Sequence, residues 1–114
     1  MSRMIYHMCP ADTWAEAVAA GHYTGTADDR RDGFIHFSTA EQSVESARRH
    51  RAAQTGLLLI AVDADRLGDR VRWEPSRGGA LFPHIYGPLD PAEISSAQPL
   101  PLGPSGEHLF PPLS

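Results

Sequence analysis

Hydrophobic and polar positions cluster, alternate and lapse along the chain in a way that divides it into strands and helices. From Arg3 to Met8, Met4, Tyr6 and Met8 fall on one face and Ile5 and His7 on the other, the two-residue period of a strand. In "PADTWAEAVAAG", Trp14, Ala17 and Val18 recur at helical spacing between Pro10, suited to a first turn, and Gly21, suited to the position past a helix end. Residues 22–32 carry no period, and the run "DDRRD" reads as a solvated loop. "GFIHF" predicts a second strand. Ser38 with Glu41, or Thr39 with Gln42, has the spacing of a capping box, so a second helix is expected from there to about Ala53.

The longest apolar run, "LLLIAV" from Leu57 to Val62, predicts a strand buried on both faces at the centre of a sheet. "DADRLGD" turns the chain, and "RVRWE" alternates Val71 and Trp73 against Arg70, Arg72 and Glu74, a half-buried strand. "PSRGG" is a loop. "ALFPHIYGPL" and "AEISSAQPL" are strand-like, with prolines that confine each to an edge, a bulge or a strand end. Beyond Gln98 the proline-rich sequence excludes regular structure, while Leu109, Phe110 and Leu113 can still pack. The reading is one α+β domain over residues 1–98, strand-helix-strand-helix followed by several strands, with a tail over 99–114 packed on it.

Composition narrows the classes. The chain has 114 residues, 41% hydrophobic and 21% charged, the size and balance of one globular domain. No apolar run approaches the roughly 20 residues that cross a bilayer, and no secretory signal is read at the start, so the cytoplasm is expected. Cys9 stands alone, which excludes an internal disulfide. The net charge is -4 and the cations are all arginine, too few to coat a general nucleic-acid surface. Arg48, Arg49, His50 and Arg51 suit a helix C-terminus instead. Nothing in the pattern specifies an oligomeric state.

Three of the six histidines, His22, His50 and His108, lie in loop, helix-end or tail sequence and read as surface residues. His7, His36 and His84 each sit in a strand-like apolar segment, and one shared pocket explains all three economically. A three-histidine metal site, serving a metal-dependent hydrolase, is one alternative, weakened by the lack of any local pair at two to four residues. The other is a small polar ligand held by neutral imidazoles, with Ser38 and Thr39 adding hydroxyls and helix-start N–H groups that suit phosphate or ribose. Glu74, ahead of Pro75, can bond a sugar or act as a base. No serine-hydrolase elbow, phosphate loop or dinucleotide glycine fingerprint is present.

The segments "IYHMCPADTWAEAVAAGHY", "DGFIHFSTAEQ", "LLLIAVDADRL", "VRWE" and "LFPHIYGPL" together resemble a bacterial family known as domain of unknown function 952, over about Met4 to Gln98. A more distant likeness is to the ADP-ribosyltransferase superfamily, and within it to the RNA 2′-phosphotransferases, through "YHM" and "IHFST". That likeness implies a small ADP-ribosyltransferase-like fold with an NAD or nucleotide crevice, for ADP-ribosyl transfer or NAD glycohydrolysis. It implies roles for His36 and His84 at the reacting ribose and for His7 with Ser38 on NAD; with Glu74 added from the residue pattern the expected catalytic residues are His36, His84 and Glu74, and the expected NAD contacts are His7, Ser38, Thr39 and Tyr86. His84 stands where the superfamily's glutamate is expected, and the arginine cluster of an RNA phosphotransferase is absent. A non-enzymatic small-molecule binding module is the competing expectation.

Overall fold

The computed structural model describes residues 3–113, so the expected domain start and the last residue of the tail lie outside the described residues. Strand β1 (Met4–Pro10) leads directly into helix α1 (Ala11–Ala20), which ends where Gly21 turns left-handed at φ 86° and its N–H reaches the Ala17 carbonyl. Trp14 and Ala17 are buried as expected, whereas Val18 faces out.

The segment expected as a solvated loop instead carries helix α2 (Ala27–Asp32). Thr26 and Asp29 form a reciprocal capping box, and Gly33 at φ 88° closes the other end. The reason the pattern hid it is that this helix buries a carboxylate, Asp29, rather than an apolar face.

Strand β2 is only Ile35–His36, and helix α3 (Ala40–His50) follows, capped by Thr39 with Gln42 and ending three residues short of the expected Ala53. Strand β3 (Leu57–Asp63) is the central strand of one antiparallel sheet, order β1-β3-β6, with β6 at Ser96–Leu100. "DADRLGD" holds the short helix α4 (Ala64–Leu67) before strand β4 (Val71–Pro75). The second antiparallel sheet has the order β2-β5-β4, with β5 at Leu81–Ile85.

Pro83 therefore sits in a middle strand, not on an edge. Phe37 N–H donates to the Pro83 carbonyl at 3.0 Å, and the return bond, which would need a proline N–H, falls just where β2 has already ended. Pro99 obeys the rule in the plain way, on the edge strand β6.

The fold is α+β, and its main core lies between the sheets and helices, built from Ile5, Trp14, Tyr23, Ile35, Phe37, Ile60, Val62, Ile85 and Leu89. A second cluster on the other face of β3 joins Tyr6, Leu57, Leu59, Ala61 and Leu100, and Phe110 and Leu113 of the tail pack onto it. Each fully buried Ile or Leu contributes about 1.5 to 3 kcal/mol of transfer free energy, so β3, apolar on both faces, anchors both clusters. The His108 ring, expected at the surface, bonds the Gln54 carbonyl at 2.8 Å and ties the tail down.

Two isolated backbone seams supplement the sheets. Tyr6 and Ser38 exchange N–H to carbonyl bonds at 2.8 Å, and Tyr23 and Leu89 do the same at 2.8 and 2.9 Å. The first seam draws β1 to the end of β2 and so sets His7 beside His36.

Candidate functional site

His7 points into the core from β1 and is 3% exposed. Its Nδ1 lies 2.6 Å from the His36 carbonyl and its Nε2 lies 2.6 Å from the Tyr23 hydroxyl. A carbonyl only accepts, so Nδ1 carries the proton and the Tyr23 O–H donates to Nε2. Phe37 stacks on the ring with centroids 5.1 Å apart. Burial holds the imidazole below its usual range despite the neighbouring Asp29 carboxylate, and it pushes the Tyr23 hydroxyl up and the Cys9 thiol up to about 11. The Cys9 thiol, bonded to Tyr23, is therefore an inert core group.

His36 faces outward from β2. Its Nδ1 lies 2.5 Å from Asp29 Oδ1 and its Nε2 3.1 Å from Asp32 Oδ2, so both ring nitrogens meet carboxylates supplied by α2. The buried Asp29 also accepts the Thr26 and His36 backbone N–H groups at 2.7 and 3.1 Å. Burial alone would raise its carboxyl. The His36 bond, the nearby His7 ring and the two backbone donors outweigh that and hold it at about 2. Sequence pattern missed Asp29 because a charged run is normally a solvated face; the capping spacing from Thr26 was the signal available.

Gly25 makes this geometry possible. It has φ 98°, and a Cβ there would stand 2.5 Å from the Asp29 Cβ. Gly25→Ala is expected to cost about 2 kcal/mol or more, read as a lower urea midpoint at unchanged slope; a midpoint equal to the parent's refutes the packing argument.

His84, on β5, is 5% exposed. Its Nδ1 lies 2.7 Å from Glu74 Oε1, and the Tyr86 hydroxyl donates to the same oxygen at 2.8 Å. These two bonds, from His84 first and Tyr86 second, draw the Glu74 carboxyl below its usual range. Phe34 stacks over the His84 ring at 4.0 Å and 21°. With Nδ1–H donating to Glu74, Nε2 is the acceptor in the neutral form of the ring and a second donor in the protonated form. Every fully buried polar side-chain atom among the described residues is partnered, so this unbonded Nε2 is reachable from outside.

His36 and His84 stand with ring centroids 5.6 Å apart at the wall of a cleft of about 240 Å³ that His7, Ser38, Phe82 and Arg51 also line. Glu74 and Tyr86 lie behind His84, outside that lining. Thr39 is spent on the α3 cap, and the Ser38 and Thr39 backbone N–H groups go to the Tyr6 carbonyl and the Gln42 side chain. The three imidazoles thus meet in one region without presenting three free nitrogens. With both His7 nitrogens engaged, the three-histidine metal arrangement has no first ligand, and no group of three or more metal-binding side chains occurs among the described residues.

Fold and site together define a small α+β protein whose cleft is walled by two histidines, His36 and His84, each bonded to a carboxylate. A family model described as Protein of unknown function (DUF952) matches residues 8–97, and the chain belongs to that family. The X-ray crystal structure of protein CC0527 from Caulobacter crescentus is 42% identical, with a TM-score of 0.89 over 93% of each chain. The solution NMR structure of CC0527 from the same organism is 42% identical, with a TM-score of 0.83 over 91% of this chain and 90% of that one. None of the curated proteins compared matches the chain. No helix among the described residues is long and apolar enough to cross a membrane.

Proposed function

We propose that the cleft takes NAD or a closely related nucleotide, with the nicotinamide ribose beside His36 and His84, and that the chemistry is cleavage or transfer at the ribosyl bond. The observation that carries this reading is the Glu74-held His84, whose Nε2 is free to accept a ribose hydroxyl or the proton of an attacking nucleophile. The distant ADP-ribosyltransferase likeness of "YHM" and "IHFST" supports the same ligand class. A ribosyl cation-like transition state needs negative charge nearby, and Asp32 on the cleft wall supplies a carboxylate.

Calorimetry with NAD and ADP-ribose, together with an assay of nicotinamide release, tests it. His84→Ala is expected to weaken NAD binding about tenfold, the loss of one strong hydrogen bond, and to stop release. Absence of heat with both nucleotides would sink the reading. A binding module without turnover is the second reading. One observation favours it: Asp29, Asp32 and Glu74 are each already bonded to a histidine. NAD bound but not consumed selects it.

A further inference from the structure

At about 240 Å³ the cleft falls below the roughly 300 Å³ at which ligand pockets usually begin, so it takes one half of a dinucleotide. With the nicotinamide ribose beside His36 and His84, the next group along the ligand is its 5′-phosphate, and the cleft lining has to meet that charge. The lining holds two arginines, Arg31 and Arg51. Arg31 is spent, at 3.2 Å from both Asp28 and Asp32.

Every carboxylate of the lining comes from α2 and is already paired there. Asp28 and Asp32 meet Arg31, and Asp29 and Asp32 meet the two ring nitrogens of His36. Arg51, just past the end of α3, is different: half-buried, it forms no ion pair within 4 Å among the described residues. Its one hydrogen bond, from Nη1–H to the His50 carbonyl, is long at 3.5 Å, so the rest of its forked donors are unspent. The C-terminal end of α3 carries partial negative charge, yet three arginines there, Arg48, Arg49 and Arg51, stand against only Glu45 and Glu107. That end is net cationic. Burial is the main cause that holds His7 below its ordinary range, and the Arg51 charge adds to it, so the field of the guanidinium reaches the cleft floor.

A second lining group has a proton to give. Ser38 and Ser46 both line the cleft, each less than a tenth exposed, and their hydroxyls bond each other at 3.3 Å. Two hydroxyls bring two protons and this bond spends one; among the described residues nothing accepts the Ser46 proton. A cation with unspent N–H groups and a buried hydroxyl with an unspent proton, both from the α3 side of the cleft, are the donor set of a phosphate site.

Resting on the nucleotide reading of the cleft, we propose that Arg51 and Ser46 form its anion pole and hold the 5′-phosphate of the nicotinamide half. Charge selects this occupant. The phosphate supplies the anion that Arg51 lacks, while the carboxylates of the lining are committed to Arg31 and His36.

Calorimetry with nicotinamide mononucleotide, nicotinamide riboside and inorganic phosphate, on the parent protein and on Arg51→Ala, tests the assignment. The riboside lacks only the phosphate. The parent is expected to bind the mononucleotide about tenfold tighter than the riboside, and Arg51→Ala to bring the two within about twofold by weakening the mononucleotide alone. A urea midpoint matched to the parent verifies the fold of the variant, and Arg51→Gln, which keeps the side-chain stem, replaces it if that midpoint falls. A mononucleotide preference that survives in the variant, or that is missing from a parent that binds the riboside, overturns the phosphate assignment and leaves the cleft reading standing. Phosphate binding that depends on Arg51, in a protein that takes neither nicotinamide compound, keeps the anion pole and removes the nucleotide reading. A parent protein that binds none of the three overturns both.

Discussion

Asp29→Asn is expected to lose about 3 kcal/mol of stability near neutral pH, the cost of leaving a buried charged-group network half-made. The carboxylate accepts two backbone N–H groups and the His36 ring. An amide retains one acceptor oxygen and turns an NH2 toward one of those donors. The pH dependence follows from the same geometry. The folded carboxyl sits at about 2 against an ordinary 3.8, a difference of about 2 kcal/mol in favour of the folded state. Because the folded value is the lower one, this stabilisation is complete above about pH 4 and is lost as pH falls through about 2. Urea unfolding from about pH 5 down to about pH 2 reads it directly. An asparagine variant with the parent's stability and the parent's acid slope would show that Asp29 is not the latch of α2.

Tyr23→Phe is the second large effect. The ring contacts with Trp14 and His7, at 5.2 and 5.4 Å, survive in phenylalanine. The lost hydroxyl leaves His7 Nε2 buried without its donor, which costs about 1 to 3 kcal/mol. Adding His7→Leu removes the stranded nitrogen, so the double variant is expected to be less destabilised than the two single losses combined. Strict additivity in that cycle would mean the 2.6 Å contact carries no coupling. His7 also sets a direction with pH. Burial holds the folded imidazole below its ordinary 6.5, so the unfolded chain takes the proton first. Stability contributed here is full above about 6.5 and declines as pH falls toward the folded value. In His7→Leu that part of the decline disappears.

Much of the scaffold was legible because it obeys short-range rules. The two-residue alternation of "MIYHM" and the unbroken "LLLIAV" give strands, and Thr39 with Gln42 gives a helix start, since each depends only on neighbours within a turn. Helix α2 was not legible because its period is absent. Six residues held by a capping box and one buried carboxylate offer no apolar stripe to detect. Pro83 misled for a related reason, since a proline's cost depends on which neighbour faces its missing N–H, and that is a property of pairing.

For the candidate site, the sequence by itself determined that three imidazoles lie on strands with Ser38, Glu74 and Tyr86 close in order to them. Only the tertiary structure decided their different surroundings. The Tyr6–Ser38 seam buries His7 against Tyr23, α2 swings Asp29 and Asp32 onto His36, and β4 aligns Glu74 with His84. Hydrogen-bond partners are fixed by contacts between residues distant in the chain, and alternation along a strand encodes which face a side chain takes but not what waits there.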